Sequence, residues 1–182
     1  SERGIDDGNA MQWNDSIAAV EDSIRKTKKK SALEAPVVYE AKDSMTVFMD
    51  TKNAFLYGDA NVKYQNIELT SENMIMNMDS SLVHAIYGED SIGGKFGLPI
   101  FKEGQEEYKS EKMSYNFDTK KGFINNVYTA QQDGFLRAES SKKGAENEIY
   151  MRRGTYTTCD EEHPHFYIAM SRGKVRPGKS VF

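Results

Sequence analysis

Met74-Ile75-Met76-Asn77-Met78-Asp79-Ser80-Ser81 alternates apolar and polar side chains and then breaks at an Asp-Ser pair. The same order, Met-x-apolar-x-apolar-Asp-(Ser/Thr), recurs in Met45-Thr46-Val47-Phe48-Met49-Asp50-Thr51-Lys52 and in Met113-Ser114-Tyr115-Asn116-Phe117-Asp118-Thr119-Lys120. Residues two apart in a strand share a face, so Met74, Met76 and Met78 point one way, as do Met45, Val47 and Met49, and Met113, Tyr115 and Phe117. The Asp and the Ser or Thr after it offer side-chain acceptors that close a turn on the backbone. Each unit therefore reads as one strand and a hairpin turn. Recurrence after about 30 and then about 40 residues predicts a stacked, all-β architecture with a nearly continuous apolar column.

Outward from the repeats, the strand that returns after the first turn places Leu56, Gly58, Ala60, Val62 and Tyr64 on one face. Phe55, Tyr57, Asp59, Asn61 and Lys63 occupy the other. Ile67 and Leu69 continue the apolar face after Gln65-Asn66, where a bulge or corner is expected. The later returning strands, near 82–87 and 123–128, alternate less cleanly and their register stays open. The Gly-rich stretch 88–105 reads as a surface insertion or irregular crossover, and 140–147, with Lys142, Lys143 and Gly144, as a hairpin loop. The shared parity predicts one interior lined by Met45, Val47, Met49, Leu56, Ala60, Val62, Ile67, Leu69, Met74, Met76, Met78, Met113, Tyr115 and Phe117.

The first 35 or so residues have a different texture. The opening ten are polar; then Ile17, Val20 and Ile24 fall three and four apart, which predicts a short amphipathic helix within 13–30. It ends in Arg25-Lys26-Thr27-Lys28-Lys29-Lys30, read as a solvated linker. The chain of 182 residues suits one domain, or one domain plus a tail. Its net charge of −4 argues against a nucleic-acid binder, which would show a basic stripe. No stretch approaches the run of about 18 apolar residues that a membrane helix needs.

Catalytic chemistry finds little support. The densest polar cluster is Cys159-Asp160-Glu161-Glu162-His163-Pro164-His165, with His163 and His165 on one strand face. Its spacing does not match the paired-ligand signatures of structural zinc, and a turn between strands is expected, with no metal and no cofactor. A Cys159 nucleophile would lack a third member and an oxyanion hole. Asp90-Ser91-Ile92-Gly93-Gly94 lacks the Gly-x-Ser-x-Gly of a nucleophile elbow, and His84, within an alternating strand, reads as a structural residue. What stands out is methionine, nine in all and six of them in the repeats. Methionine specifies packing poorly and suits surfaces that accept varied apolar partners, so the column can serve as a groove for lipid chains.

The C-terminal half adds a family resemblance. The stretch 108–118, the turn Asp118-Thr119-Lys120-Lys121-Gly122, and above all Gly154-Thr155-Tyr156-Thr157-Thr158-Cys159-Asp160 with His163-Pro164-His165-Phe166-Tyr167 resemble the periplasmic domain of the LptD family. These are the lipopolysaccharide-assembly outer-membrane proteins, also called OstA or organic solvent tolerance proteins; the texture is similar to Bacteroidetes-type members. Tyr57-Gly58-Asp59-Ala60-x-Val62-x-Tyr64-x-x-Ile67-x-Leu69 resembles the strand pair of the wider OstA-like group, which includes the LptA bridge proteins. The resemblance spans roughly 35–182, and the Thr-Tyr-Thr-Thr-Cys segment separates the outer-membrane members from the bridges.

The resemblance implies an open β-jellyroll over 36–182 behind a tail at 1–35, with lipid A acyl chains held on the predicted interior. It implies no enzyme activity, but transport of lipopolysaccharide at the periplasmic face of the Gram-negative outer membrane. An LptA-type bridge protein would meet the N-terminal edge near 37–40. The C-terminal edge near 166–174 would lead to the protein's own barrel, plugged by an LptE-type lipoprotein and expected to lie outside this chain. In the enterobacterial branch a Cys of the matching segment pairs with a barrel Cys; Cys159 occupies that position, but the branch's additional N-terminal Cys is missing. Two alternatives stay open: a structural LptA-like bridge module that pairs strands head to tail, and a jellyroll or β-helix enzyme acting on glycans.

Overall fold

The computed structural model describes residues 35–131, 134–161, 164–176 and 180–181. The helix expected within 13–30, and His163, lie outside them. The described chain is all strand and turn: β1 (Val38–Glu40), β2 (Ser44–Phe48), β3 (Asn53–Tyr64), β4 (Ile67–Asn77), β5 (Leu82–Ile86), β6 (Gly88–Glu89), β7 (Lys95–Phe96), β8 (Ile100–Glu103), β9 (Glu106–Lys109), β10 (Lys112–Asn116), β11 (Lys121–Gln131), β12 (Gly134–Lys143), β13 (Ile149–Thr157), β14 (Ile168–Arg176) and β15 (Ser180–Val181). One antiparallel sheet runs β1-β3-β4-β5-β10-β11-β12-β13-β14-β15, with β2 also on β3 and the β8–β9 hairpin bridging β4 to β11. β6 and β7 form a separate small ribbon.

The long strands bend where their ladders are interrupted. The β3–β4 register shifts between Tyr57 and Ala60, at Gly58 (φ 76) and Asp59 (φ 43). β11 pairs with β12 on both sides of Asn126 (φ 52), and β12 with β13 on both sides of Arg153 (φ 49). Such interruptions leave residues unpaired and turn the strand. At Gly58 the left-handed backbone coincides with close approach, since a Cβ there would run into the Asp43 carboxyl group. The two halves fold over one another: Tyr64 meets Phe117 with ring centroids 5.5 Å apart, and Phe101 meets Tyr115 at 4.8 Å. This is the expected jellyroll.

Several local expectations change. Gln65-Asn66 is a two-residue hairpin turn, with Tyr64 paired to Ile67 and Gln65 at φ 53; the corner lies earlier, at Gly58-Asp59. The repeat turns do fall where expected, each with a left-handed residue, Lys52, Ser81 and Lys120. In two of them, however, the acceptor is an Asn two places before the Asp. Asn77 Oδ1 accepts from Ser80 N at 2.9 Å, and Asn116 Oδ1 from Thr119 N at 2.8 Å. Only in the first does Asp50 itself accept, from Thr51 N at 2.8 Å.

The stretch 88–105 is more than a surface insertion. Its second part forms β8 and opens the β8–β9 hairpin, which buries Pro99, Phe101 and Tyr108 in the core. The Gly and Pro density there hid a core element. Likewise β12 runs on to Lys143, so the loop before β13 is only the segment 144–148, closed by Gly144 N donating to Glu148 O at 2.8 Å.

Candidate functional site

Directly paired residues of an antiparallel sheet share a face, so the registers trace the interior strand by strand. One row passes through Val47, Ala54, Met76, Val83, Tyr115, Gly122, Lys143, Ile149 and Val175. Its neighbour passes through Met45, Leu56, Met74, Ala85, Met113, Ile124, Ser141, Met151 and Gly173. These rows explain why the repeats recur: each repeat strand lays one large apolar side chain into each row, Val47 and Met45, Met76 and Met74, and Tyr115 and Met113.

Leu56, Ala60, Val62, Ile67, Leu69, Met74, Met76, Met113, Tyr115 and Phe117 all lie in one buried cluster. Met78 lies just past the end of β4 and is half-buried. Met45, Val47 and Met49 depart from the expected interior, at 50%, 38% and 67% exposure. The cause is position in the sheet. Among the described residues β2 is bonded to β3 alone, so Met45 and Val47 stand on the inner side, opposite buried Leu56 and Ala54, and stay partly exposed. Met49 has left the strand for the turn.

The other end of the sheet repeats this arrangement. Leu136, Tyr156 and Ile168 share a row, and Leu136 is buried while Ile168 is 64% exposed. Phe166 and Tyr167 just before it are exposed as well. The last strand, β15, covers only Val175 and Arg176 of β14. Among the described residues the outer side of β14 at Ile168–Met170 is unpaired, as is the outer side of β1. Among the described residues the interior thus has a sealed middle and two exposed apolar ends.

The sealed middle also holds charge, which the apolar pattern concealed. Lys143 Nζ lies 2.7 Å from Glu103 Oε2, and the Lys143 side chain is only 2% exposed. The pair joins β12 to β8, with the ammonium 5.9 Å from the centre of the Phe101 ring. The hydroxyls of Tyr115 and Ser141 are buried nearby in the same rows without a hydrogen-bond partner. Burial, together with the charge of Glu103, pushes the Tyr115 phenol above its ordinary range. The signal for Lys143 was present in the parity of Ser141 and Lys143, two apart; the ladder break at Glu139 obscured it.

Of the Cys159 cluster, the described residues 159–161 and 164–165 lie in an irregular segment between β13 and β14. Thr157 Oγ1 donates to Phe166 O at 2.7 Å and accepts from Cys159 N at 3.0 Å, which pins the loop. Cys159 Sγ lies 3.6 Å from His165 Nδ1. Backbone N–H groups of Glu161 and His165, with the His165 ring, hold the thiol below its usual range. Among the described residues no three His, Cys, Asp or Glu side chains converge as metal ligands. His84 is structural: its Nδ1 is 2.8 Å from Ser114 Oγ, and burial lowers its pKa to about 4. Asp90 Oδ1 accepts from Ile92 N and Gly94 N, so that Gly-rich segment is a closed turn.

No protein-family model matches the chain, and no curated protein matches it. Among solved structures the fold is similar to that of LptH from Pseudomonas aeruginosa, described as the LptA homologous periplasmic component of the conserved lipopolysaccharide transport device. The TM-score is 0.56 at 13% identity, over 80% of this chain and 98% of that one. The architecture is therefore that of the LptA-like jellyroll.

Proposed function

We propose that this protein is a lipopolysaccharide-transport module of the periplasm whose jellyroll interior holds lipid A acyl chains and performs no chemistry. The observation that carries this is one apolar interior, sealed in the middle and exposed at both ends among the described residues, with Met45 and Val47 at one and Ile168 at the other. A chain of about 14 methylenes gains about 0.8 kcal/mol each on leaving water, about 11 kcal/mol in all. Moving between one apolar site and another it gains almost nothing, so such an interior relays lipid without trapping it. The acyl chain seats first against Met45 and Val47; the methionines behind them re-pack easily to admit it.

Within that role we favour the LptD-type place in the relay. Support comes from the Gly154-Thr155-Tyr156-Thr157-Thr158-Cys159 segment. The β1 edge then receives an LptA-type bridge by strand addition, and the β14 end faces the protein's own barrel and its LptE-type lipoprotein at the outer membrane. Cys159 is the candidate for a disulfide to that barrel. The bridge-module reading has its own support, since the alignment takes in 98% of LptH.

A photo-crosslinking residue replacing Met76 or Tyr115 captures lipopolysaccharide in cells under this proposal, and one replacing the outward Lys63 does not. Chelation, or Ala at His163 and His165, leaves lipid capture intact. Equal capture at Met76 and Lys63, or loss on chelation, overturns it. Crosslinks from the 166–174 end to a barrel favour the LptD-type place; crosslinks to a second jellyroll favour the bridge.

A further inference from the structure

The side of β12, β13 and β14 that faces away from the interior carries cations in adjacent rows. Lys142, Tyr150 and Lys174 are directly paired across the three strands, and Arg152 stands opposite Arg172 in the next row. Lys142, Arg152 and Arg172 are exposed, and Lys174 places its ammonium 4.8 Å from the centre of the Tyr150 ring. At the end of this face Lys121, Lys174 and Arg176 border a concavity of about 680 Å³, together with Tyr150, Glu146 and Glu148. Among the described residues none of Lys142, Arg152, Arg172 and Lys174 forms an ion pair. Five surface cations off this face are matched, Lys42 with Asp59, Lys63 with Glu68, Lys95 with Glu111, Lys102 with Glu107 and Arg153 with Glu139. Others, such as Lys109 and Lys120, form no ion pair among the described residues but do not stand in adjacent cationic rows. Like charges directly opposite one another across strands are destabilising, so the Arg152–Arg172 pair is held at a cost that an anionic partner removes.

We propose that this face lies against an anionic phospholipid surface. β13, at the centre of the face, is hydrogen-bonded on both sides, by β12 and β14, so Tyr150 and Arg152 are presented as side chains and not as a backbone edge for an extended peptide. Cations spaced about 5–7 Å apart on a sheet match a plane of phosphates rather than a single ligand. Tyr150, 46% exposed among them, has the apolar ring and polar tip that favour the headgroup level. Charge attraction of this kind acts within a Debye length of the membrane and weakens with salt. The face is on the opposite side of the sheet from the interior, so it does not depend on what the interior carries.

Flotation of the full chain with vesicles tests this. Binding is expected to phosphatidylcholine vesicles containing phosphatidylglycerol, not to phosphatidylcholine alone, and to fade between about 0.05 M and about 0.3 M salt. Arg152→Gln with Arg172→Gln weakens binding at least about tenfold while the thermal melt stays level or rises. Lys63→Gln with Lys102→Gln removes the same charge from matched positions and leaves binding close to that of the unaltered chain. Equal binding to neutral vesicles, no binding, or equal losses in the two double variants overturns the proposal. Light scattering without vesicles supplies the other arm: a salt-sensitive dimer abolished by the arginine changes, with no vesicle binding, assigns the face to a second copy and also overturns it.

Discussion

β2 and β4 are written in the same alternation and end in different surroundings. Met74 and Met76 of β4 are 1% and 3% exposed, whereas Met45 and Val47 of β2 are open to solvent. Both pairs stand on the same side of the sheet, linked through Leu56 and Ala54 of β3. β4 has β3 on one flank and β5 on the other; β2 has β3 alone. Alternation decides which way a side chain points, and the number of neighbouring strands decides whether anything covers it. The uncovered residues are therefore part of the interior surface, presented at its rim.

The largest effect should come from placing a charge at the two positions in turn. Met76→Asp puts an unpaired carboxylate in a sealed row and is expected to cost more than about 4 kcal/mol in urea unfolding, or to abolish folding. Met45→Asp leaves the new charge in water and should stay within about 1 kcal/mol. Comparable losses at both positions would mean that β2 is covered in solution.

The buried ion pair sharpens the contrast between middle and rim. Glu103→Gln strands the Lys143 ammonium in the interior and should cost about 3 kcal/mol. The double variant Glu103→Leu with Lys143→Met should lose far less than Glu103→Gln alone, because an apolar pair of similar size needs no desolvation. A double variant no better than the single one would show that the pair is needed for the packing of β8 on β12.

A smaller effect is expected from His84. Burial favours its neutral ring in the folded state and lowers its pKa from 6.5 to about 4. As pH falls, the unfolded chain takes up the proton first, so the stability is present above pH 6.5 and is lost on the way down to about pH 4. The loss should be on the order of 2–3 kcal/mol. His84→Gln removes that contribution, and the difference between the two stability–pH curves should flatten below about pH 4. Curves that run parallel from pH 7 to pH 4 would mean that the ring is solvated.

The same contrast explains what could be read in the chain beforehand. The period of two in the repeats and in Leu56, Ala60 and Val62 is a local property of a strand, and it located the interior rows. The turn positions are equally local, although the acceptors Asn77 and Asn116 lie at strand ends, where the alternating pattern does not single them out. Which strand ends up at the edge is a property of pairing between segments far apart, so Met45 and Val47 could not be told from Met74 and Met76. Phe101 and Tyr108 were hidden because short strands between glycines carry too few residues to display a period. Lys143 reads as part of a loop because the interruption at Glu139 shifts the parity just before it.

Under the proposed function an acyl chain enters at the β2 rim, against Met45 and Val47. In a Cys159→Ser background, Met45→Cys carrying a polarity-sensitive fluorophore reports this directly when lipid A is added. Emission at Met45 should shift to the blue, and the same fluorophore at Lys63→Cys should not respond. No shift at Met45, or an equal shift at both, would rule out entry at the β2 rim.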